Sequence, residues 1–287
     1  DLKPGGLFSL GSQAEFAGGI LGIIASGVLV VRGLALPLTA AGVIYILTMA
    51  LALRLPERGF TPSMAWQDIL RESVHSLKEG WRGVWSAGMA ILILCITLFQ
   101  GMSSEGFDKL WQTFVKDVLG GVPSMAGLAD KTWWAIISAL SLALAWALVS
   151  WIRQAVDMSD ERQIVRVLAW MTGGIVLGIL AFAFAPSFWL AAPAVLLCRT
   201  LRKANSPLMT GWLNLQARQE RRATILSFEG QAQSLGRILG GPGIGAASEA
   251  LKSLRLALGL TAVLLIPALI AVFSAARTGV REQDLPS

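Results

Sequence analysis

The sequence predicts an all-α integral membrane protein: a bundle of eight transmembrane helices out of an expected twelve, built as two parallel six-helix repeats. Three observations predict it. The 287 residues are 54% hydrophobic and only 15% charged, with a mean hydropathy of +0.62, whereas a soluble domain carries about 25% charged residues. Apolar runs close to the ~20 residues that a bilayer requires recur along the chain. Finally, the segment from Ser9 to Gly27 is echoed by the segment from Ser227 to Gly245.

The echo aligns without gaps. The pairs Ser9/Ser227, Gln13/Gln231, Ala14/Ala232, Gly18/Gly236, Ile20/Ile238, Leu21/Leu239, Gly22/Gly240 and Gly27/Gly245 are identical. Both windows lie in apolar stretches, and duplicated spanning units are the building plan of many secondary transporters. A β-barrel is excluded, because the alternating segments of about ten residues that barrel strands require do not occur.

The spans follow in order. The first covers 9–31 and the second 34–53; a polar stretch occupies 54–82. The third span covers 84–103, and polar sequence then runs to Lys131. The fourth covers 132–151. The block 167–198 is too long for one span and short for two, which predicts a hairpin turning at Pro186-Ser187, with its second arm continuing to about Leu215. The last two spans cover 225–247 and 254–275.

Charge predicts the orientation. Eight crossings put both ends on one side, which collects Lys3, Arg54, Arg58, Arg71, Lys78, Arg82, Arg153, Arg162, Arg166, Arg218, Arg221, Arg222, Arg277 and Arg281. The other side has Arg32, Lys109, Lys116, Lys131, Lys252 and Arg255. This bias makes both ends cytoplasmic, in a multi-pass protein of the cell (inner) membrane. The net charge of +6 is therefore a topology signal, with no nucleic-acid partner implied. The Arg218-Gln-Glu220-Arg221-Arg222 cluster belongs to the same signal, with lipid headgroups as a further contact.

Two polar stretches are amphipathic. Trp66, Ile69, Leu70, Val74, Leu77 and Trp81 recur at helical spacing in one; Phe107, Leu110, Trp111, Phe114, Val115, Val118 and Leu119 do so in the other. Both read as helices lying in the membrane interface, bracing loops or coupling the halves.

The echo pairs the first span with the seventh, so the repeating unit is six spans and, six being even, the copies run parallel. Eight spans then comprise the last two of one unit and all six of the next. The chain begins with Asp1 rather than Met and shows no signal-peptide pattern; it reads as a fragment lacking four earlier spans.

Two parallel six-helix halves joined by an amphipathic stretch resemble the major facilitator superfamily over essentially the whole chain. The segment Gly236-Arg-Ile-Leu-Gly240-Gly241-Pro242-Gly-Ile-Gly245 is similar to the glycine-proline motif of the family's antiporters. That motif belongs on helix five, where Gly18, Gly22 and Gly27 keep the glycines without the proline; its fuller form falls here on helix eleven. Residues 103–111 and 222–227 resemble stretches of bacterial drug-efflux-like members, whereas the family's acidic-basic loop motif is not recognisable at 151–166. The resemblance implies that 1–53 are the last two helices of the N-terminal half, 54–83 the cytoplasmic central loop, 84–275 the C-terminal half and 276–287 a cytoplasmic tail. It also implies a monomeric carrier and turns the tenth and eleventh helices toward a central cavity.

Charges within spans cost about 2.5–3.5 kcal/mol each on the insertion scale and point to function. Arg199, Arg202 and Lys203 share one helical face. Arg237 follows Gln231 and Gln233 on the next helix, and Gln100 sits near the outer end of the third span. Two readings stand: Arg199 and Arg237 bind an anionic group or hold a carboxylate across the halves, or Arg202 and Lys203 snorkel to headgroups while Arg199 pairs locally. The proton-coupling candidates are Glu15, Glu105, Asp108 and Glu229, with Glu15 and Glu229 also explicable as first-turn acids that complement the helix dipole. Gly18, Gly22, Gly236, Gly240, Gly241 and Gly245 suit close helix packing, and Pro242 a hinge.

Enzymatic constellations do not appear. The single histidine, His75, has no ligand partner at metal spacing. Cys95 and Cys198 fall in apolar spans as packing residues, without a disulfide or metal. With no G-x-x-x-x-G-K-[ST] sequence, the expectation is a transporter of a small organic solute, without cofactors, driven by an ion gradient, with H+ as the coupling ion. Drug-like efflux is the preferred mode, uptake or exchange of an organic anion the runner-up, and a non-transporting membrane protein or membrane-embedded enzyme the different class.

Overall fold

The computed structural model describes residues 4–30, 32–33, 35–54, 88–123, 130–216 and 222–281. The central stretch 55–87, with its amphipathic pattern and His75, lies outside the described residues, as do 218–221 of the basic cluster and 282–287 of the tail. Among the described residues every element is helical: α1 Pro4–Val30, α2 Ala35–Ala52, α3 Gly88–Asp117, α4 Asp130–Ala155, α5 Glu161–Ala183, α6 Phe188–Gln216, α7 Arg222–Leu251, α8 Leu254–Val263 and α9 Ile266–Arg281.

Helix boundaries follow local chemistry. Asp160 caps α5 by accepting from the Arg162 backbone N–H, and Asp157 closes the preceding turn by accepting from the Ser159 amide and hydroxyl. The predicted hairpin is present: α5 ends at Ala183 and α6 starts at Phe188, on either side of Pro186-Ser187. Ser253 caps α8 through the Leu256 N–H. Pro267 has no N–H for the Val263 carbonyl, so the last predicted span is interrupted at Leu264-Leu265, where the Leu265 N–H bonds Ala262 O in a tightened turn. By contrast α6 continues through Pro193 and Pro207, and α7 through Pro242.

Five segments among the described residues are long and apolar enough to cross a membrane: Gln13–Val30, Ala35–Ala52, Trp133–Ala155, Glu161–Ala183 and Leu254–Ala276. The helices α3, α6 and α7 are not among these five segments, and each carries polar or charged residues along one face. Their placement accounts for this, since they wall a common polar cavity.

The second amphipathic stretch corrects the expectation of an interfacial helix. Residues 88–117 form one uninterrupted helix, and Phe107, Trp111, Phe114 and Val115 are buried in the bundle. Nothing in the sequence breaks the helix after Ser103, and the apolar stripe stays in phase with the span before it. Phe107 and Phe114 pack on Phe182 of α5, with ring centroids 5.5 and 5.1 Å apart. The helix stops only before Gly120 and Gly121, whose φ values of 78° and 91° favour glycine.

The bundle core has two clusters. One joins Ile96, Ile164, Leu168, Trp212 and Leu213, and the other surrounds Phe107, Phe182, Cys198 and Leu258. The first two helices stand at its margin. α2 buries no residue, and Leu21, Ile24, Val28 and Tyr45 are exposed. Such apolar surface fits lipid or further helices rather than water. α1 is tied to α4 by Gln13, which donates to Ser150 Oγ at 3.0 Å and accepts from Arg153 Nη1 at 3.2 Å.

The two echo copies occupy different environments. A Cβ on Gly236 or Gly240 would collide with the backbone carbonyls of Leu98 and Met102, and one on Gly101 with that of Gln233. α3 and α7 therefore cross backbone to backbone, the arrangement small residues permit in membranes. A Cβ on Gly241 would meet the Glu105 side chain at 3.2 Å. Among the described residues the expected close packing is not seen at Gly18, Gly22 and Gly245, where no described atom lies within 4 Å of the added carbon.

Candidate functional site

The polar faces of α1, α3, α6 and α7 enclose a cavity of about 640 Å³, within the range of small-molecule sites. Helical spacing builds it. Thr97, Gln100, Ser104 and Asp108 form one stripe of α3; Arg199, Arg202, Lys203, Ser206 and Thr210 form another on α6; Glu229, Gln233 and Arg237 lie one turn apart on α7. α1 contributes Gly11, Glu15 and Phe16.

The most tightly bonded part of the site joins α3 and α6. Arg202 donates to both oxygens of Asp108, Nη1 to Oδ1 at 3.1 Å and Nη2 to Oδ2 at 2.8 Å. Arg199 approaches the same carboxylate at 3.8 Å and reaches Ser138 Oγ of α4 at 3.5 Å. Each guanidinium rests on an aromatic ring, Arg199 on Trp111 at 5.2 Å and Arg202 on Phe107 at 5.7 Å. One carboxylate thus serves two cations, and the Arg199 Nε is buried with no hydrogen-bond partner among the described residues. Further along the same helices, Gln100 donates to Asn205, and Asn205 to Thr172 of α5, both at 3.4 Å.

Of the residues predicted from sequence, Gln100, Arg199, Arg202, Arg237, Glu15, Asp108 and Glu229 all line this cavity. Gln231 does not; it is exposed and bonds Ser227 on its own helix. Glu105 pairs with Lys109 at 3.5 Å and packs beside Gly241. Three finer expectations are corrected. Arg202 faces the cavity and binds Asp108 instead of snorkelling, because the carboxylate lies in the adjacent stripe. Asp108 belongs to a helix that continues well beyond the predicted end of its span, so it is a wall residue of the cavity rather than part of an interfacial helix at the mouth. Glu15 and Glu229 are not first-turn acids: α1 begins at Pro4 and α7 at Arg222, so helix-dipole compensation does not account for them.

Thr97, Lys203, Asn205, Thr210 and Gln233 complete the lining. Lys203 and Gln233 were visible as polar residues inside spans. Thr97, Asn205 and Thr210 could have been found by extending the register from Gln100 and Arg202 in steps of three and four. Cys198 is buried and Cys95 exposed, and both are free thiols. Among the described residues no group of His, Cys, Asp and Glu has the proximity to hold a metal. No protein-family model matches the chain, and no curated protein matches it significantly.

Proposed function

We propose that this chain forms the greater part of a secondary active transporter of the major facilitator type, moving a small organic solute by alternating access. The reading takes the two ends of the chain as cytoplasmic and the spans as helices five to twelve of two parallel halves. Its preferred mode is efflux of drug-like solutes in exchange for protons. One observation carries it: charged side chains from four helices, which would be expensive in lipid, gather around one cavity of solute size. Carboxylates on three of those helices, Glu15, Asp108 and Glu229, supply groups able to take up a proton as the cavity changes its exposure.

A second reading, uptake or exchange of an organic anion, draws on the surplus of cations. Arg199, Arg202, Lys203 and Arg237 face the three carboxylates, and Arg202 already neutralises Asp108.

The test is flux in proteoliposomes made with the product of the complete coding sequence. An imposed pH gradient is expected to drive accumulation of organic cations or neutral drug-like solutes and to be dissipated by them. Gradient-independent exchange of organic anions would establish the second reading, and absence of flux across all solute classes would refute both.

A further inference from the structure

The cavity is electrically polarised along its axis, and two independent registers show it. On α6, Arg199 and Arg202 share the level of Asp108, whereas Thr210, whose side chain lies beside that of Glu229 of α7, is eleven residues beyond Arg199. At 1.5 Å per residue that is roughly 16 Å. On α4, Ser138 touches Arg199, while Ser150, twelve residues on, bonds Gln13 of α1. The Gly19–Leu142 contact shows that α1 runs back along α4, so Glu15 lies toward residue 148. That puts Glu15 roughly 15 Å from the Arg199 level. The two acids therefore share one end of the cavity although they come from different helices.

The basic end is not balanced internally. Arg202 has taken both oxygens of Asp108, which leaves Arg199 with a long contact and a buried Nε that has no hydrogen-bond partner among the described residues. Lys203 carries the positive pole one turn toward the acids, leaving roughly 10 Å from its level to that of Glu229. Between the poles the wall is polar but uncharged, with Gln100, Ser104, Asn205, Ser206 and Gln233.

From this arrangement we infer that the site takes amphoteric organic solutes: an ammonium group toward Glu15 and Glu229 and an anionic group toward Arg199 and Lys203, with the body of the solute spanning the uncharged middle. A solute with one charge leaves one pole uncompensated and loses that pole's charge-assisted bonds. The inference rests on the transport reading, since it treats this cavity as the solute site.

The test is binding to the full chain in nanodiscs, measured by calorimetry with three probes: ω-aminooctanoate, whose charged ends lie roughly 10 Å apart when extended, octanoate and octylamine. ω-Aminooctanoate is expected to bind about tenfold or more tightly than either single-charge analogue, the scale of one charge-assisted hydrogen bond. Glu229→Gln is expected to lower its affinity to that of octanoate, and Lys203→Gln to that of octylamine. Lys203 is exposed to the cavity, so its replacement leaves the packed core intact. Equal affinity for the three probes, or no binding of ω-aminooctanoate, overturns the inference. Binding with the expected preference but no flux in proteoliposomes defeats the transport reading alone; flux of solutes with no dipolar preference defeats the inference alone.

Discussion

Arg202 grips Asp108 with both terminal nitrogens, at 2.8 and 3.1 Å, across the interface between α6 and α3. The pair closes one end of the cavity and sets the relative level of two polar helices. Asp108→Asn removes the charge that compensates Arg202 and half-compensates Arg199. A loss of about 1.5–3 kcal/mol, the range for hydrogen bonds to charged groups, is expected in thermal unfolding in detergent. A double-mutant cycle with Arg202→Gln should return a coupling of about 1–3 kcal/mol. Strictly additive single losses would show that the two side chains do not act together.

The glycines of the two echo copies should respond in opposite directions. Gly236→Ala and Gly240→Ala drive a methyl group into backbone carbonyls of α3, which can move only if the helices separate. Overpacking of this kind costs about 1–3 kcal/mol. Gly18→Ala and Gly22→Ala meet open space and replace glycine in a helix interior, so melting temperature should hold or rise, by up to about 1 kcal/mol of stability. Equal destabilisation at both pairs would contradict the packing described.

Arg199 faces the cavity with donor capacity to spare. Arg199→Ala, at normal membrane insertion, should lower the kcat/KM of solute flux about tenfold or more, corresponding to the loss of one charge-assisted contact. Unchanged kinetics would remove Arg199 from solute recognition and leave it a local partner of Asp108 and Trp111.

Arg255 performs a structural task at the α5–α6 turn. Its Nη1 donates to Ala183 O at 3.1 Å and Ala185 O at 2.9 Å, and its guanidinium lies 5.3 Å from the Phe114 ring centroid. One carbonyl ends α5 and the other lies in the turn just beyond it, where helix geometry supplies no partner. Arg255→Ala should cost about 1–3 kcal/mol in thermal unfolding, and Arg255→Lys should restore only part of it, because an ammonium lacks the planar fork and stacks less well. Full recovery with lysine would show that charge alone matters at this position.

Much of the fold was legible because membrane helices are governed by local rules. Backbone groups must be bonded within the segment, so a run of apolar residues becomes a helix of readable length. The Pro186-Ser187 turn was legible for the same reason: the apolar block exceeded one membrane thickness, and of its two prolines Pro186 carries a following serine and leaves arms of workable length, whereas Pro193 stays within a helix. The extent of α3 was not legible. The residues after Ser103 read as a separate interfacial helix, yet Ser104 and Asp108 face the cavity while Phe107, Trp111 and Phe114 face the core. The cavity followed the same logic in part: charges inside spans pointed to Arg199, Arg202 and Arg237, whereas Thr97, Asn205 and Thr210 are too ordinary in a helix to stand out alone.

The sequence by itself determined where helices form and which side chains are too polar to face lipid, since both depend on residues within a few turns of one another. Only the tertiary structure decided which partners those side chains meet. Asp108 and Arg202 are 94 positions apart, and no local rule links them. The echo shows the same division. Identical glycines at Gly18/Gly236 and Gly22/Gly240 promise two close helix crossings, yet one pair is pressed against α3 and the other meets no described residue within 4 Å. A glycine permits close approach, but whether another helix is there to approach is a property of the assembled bundle.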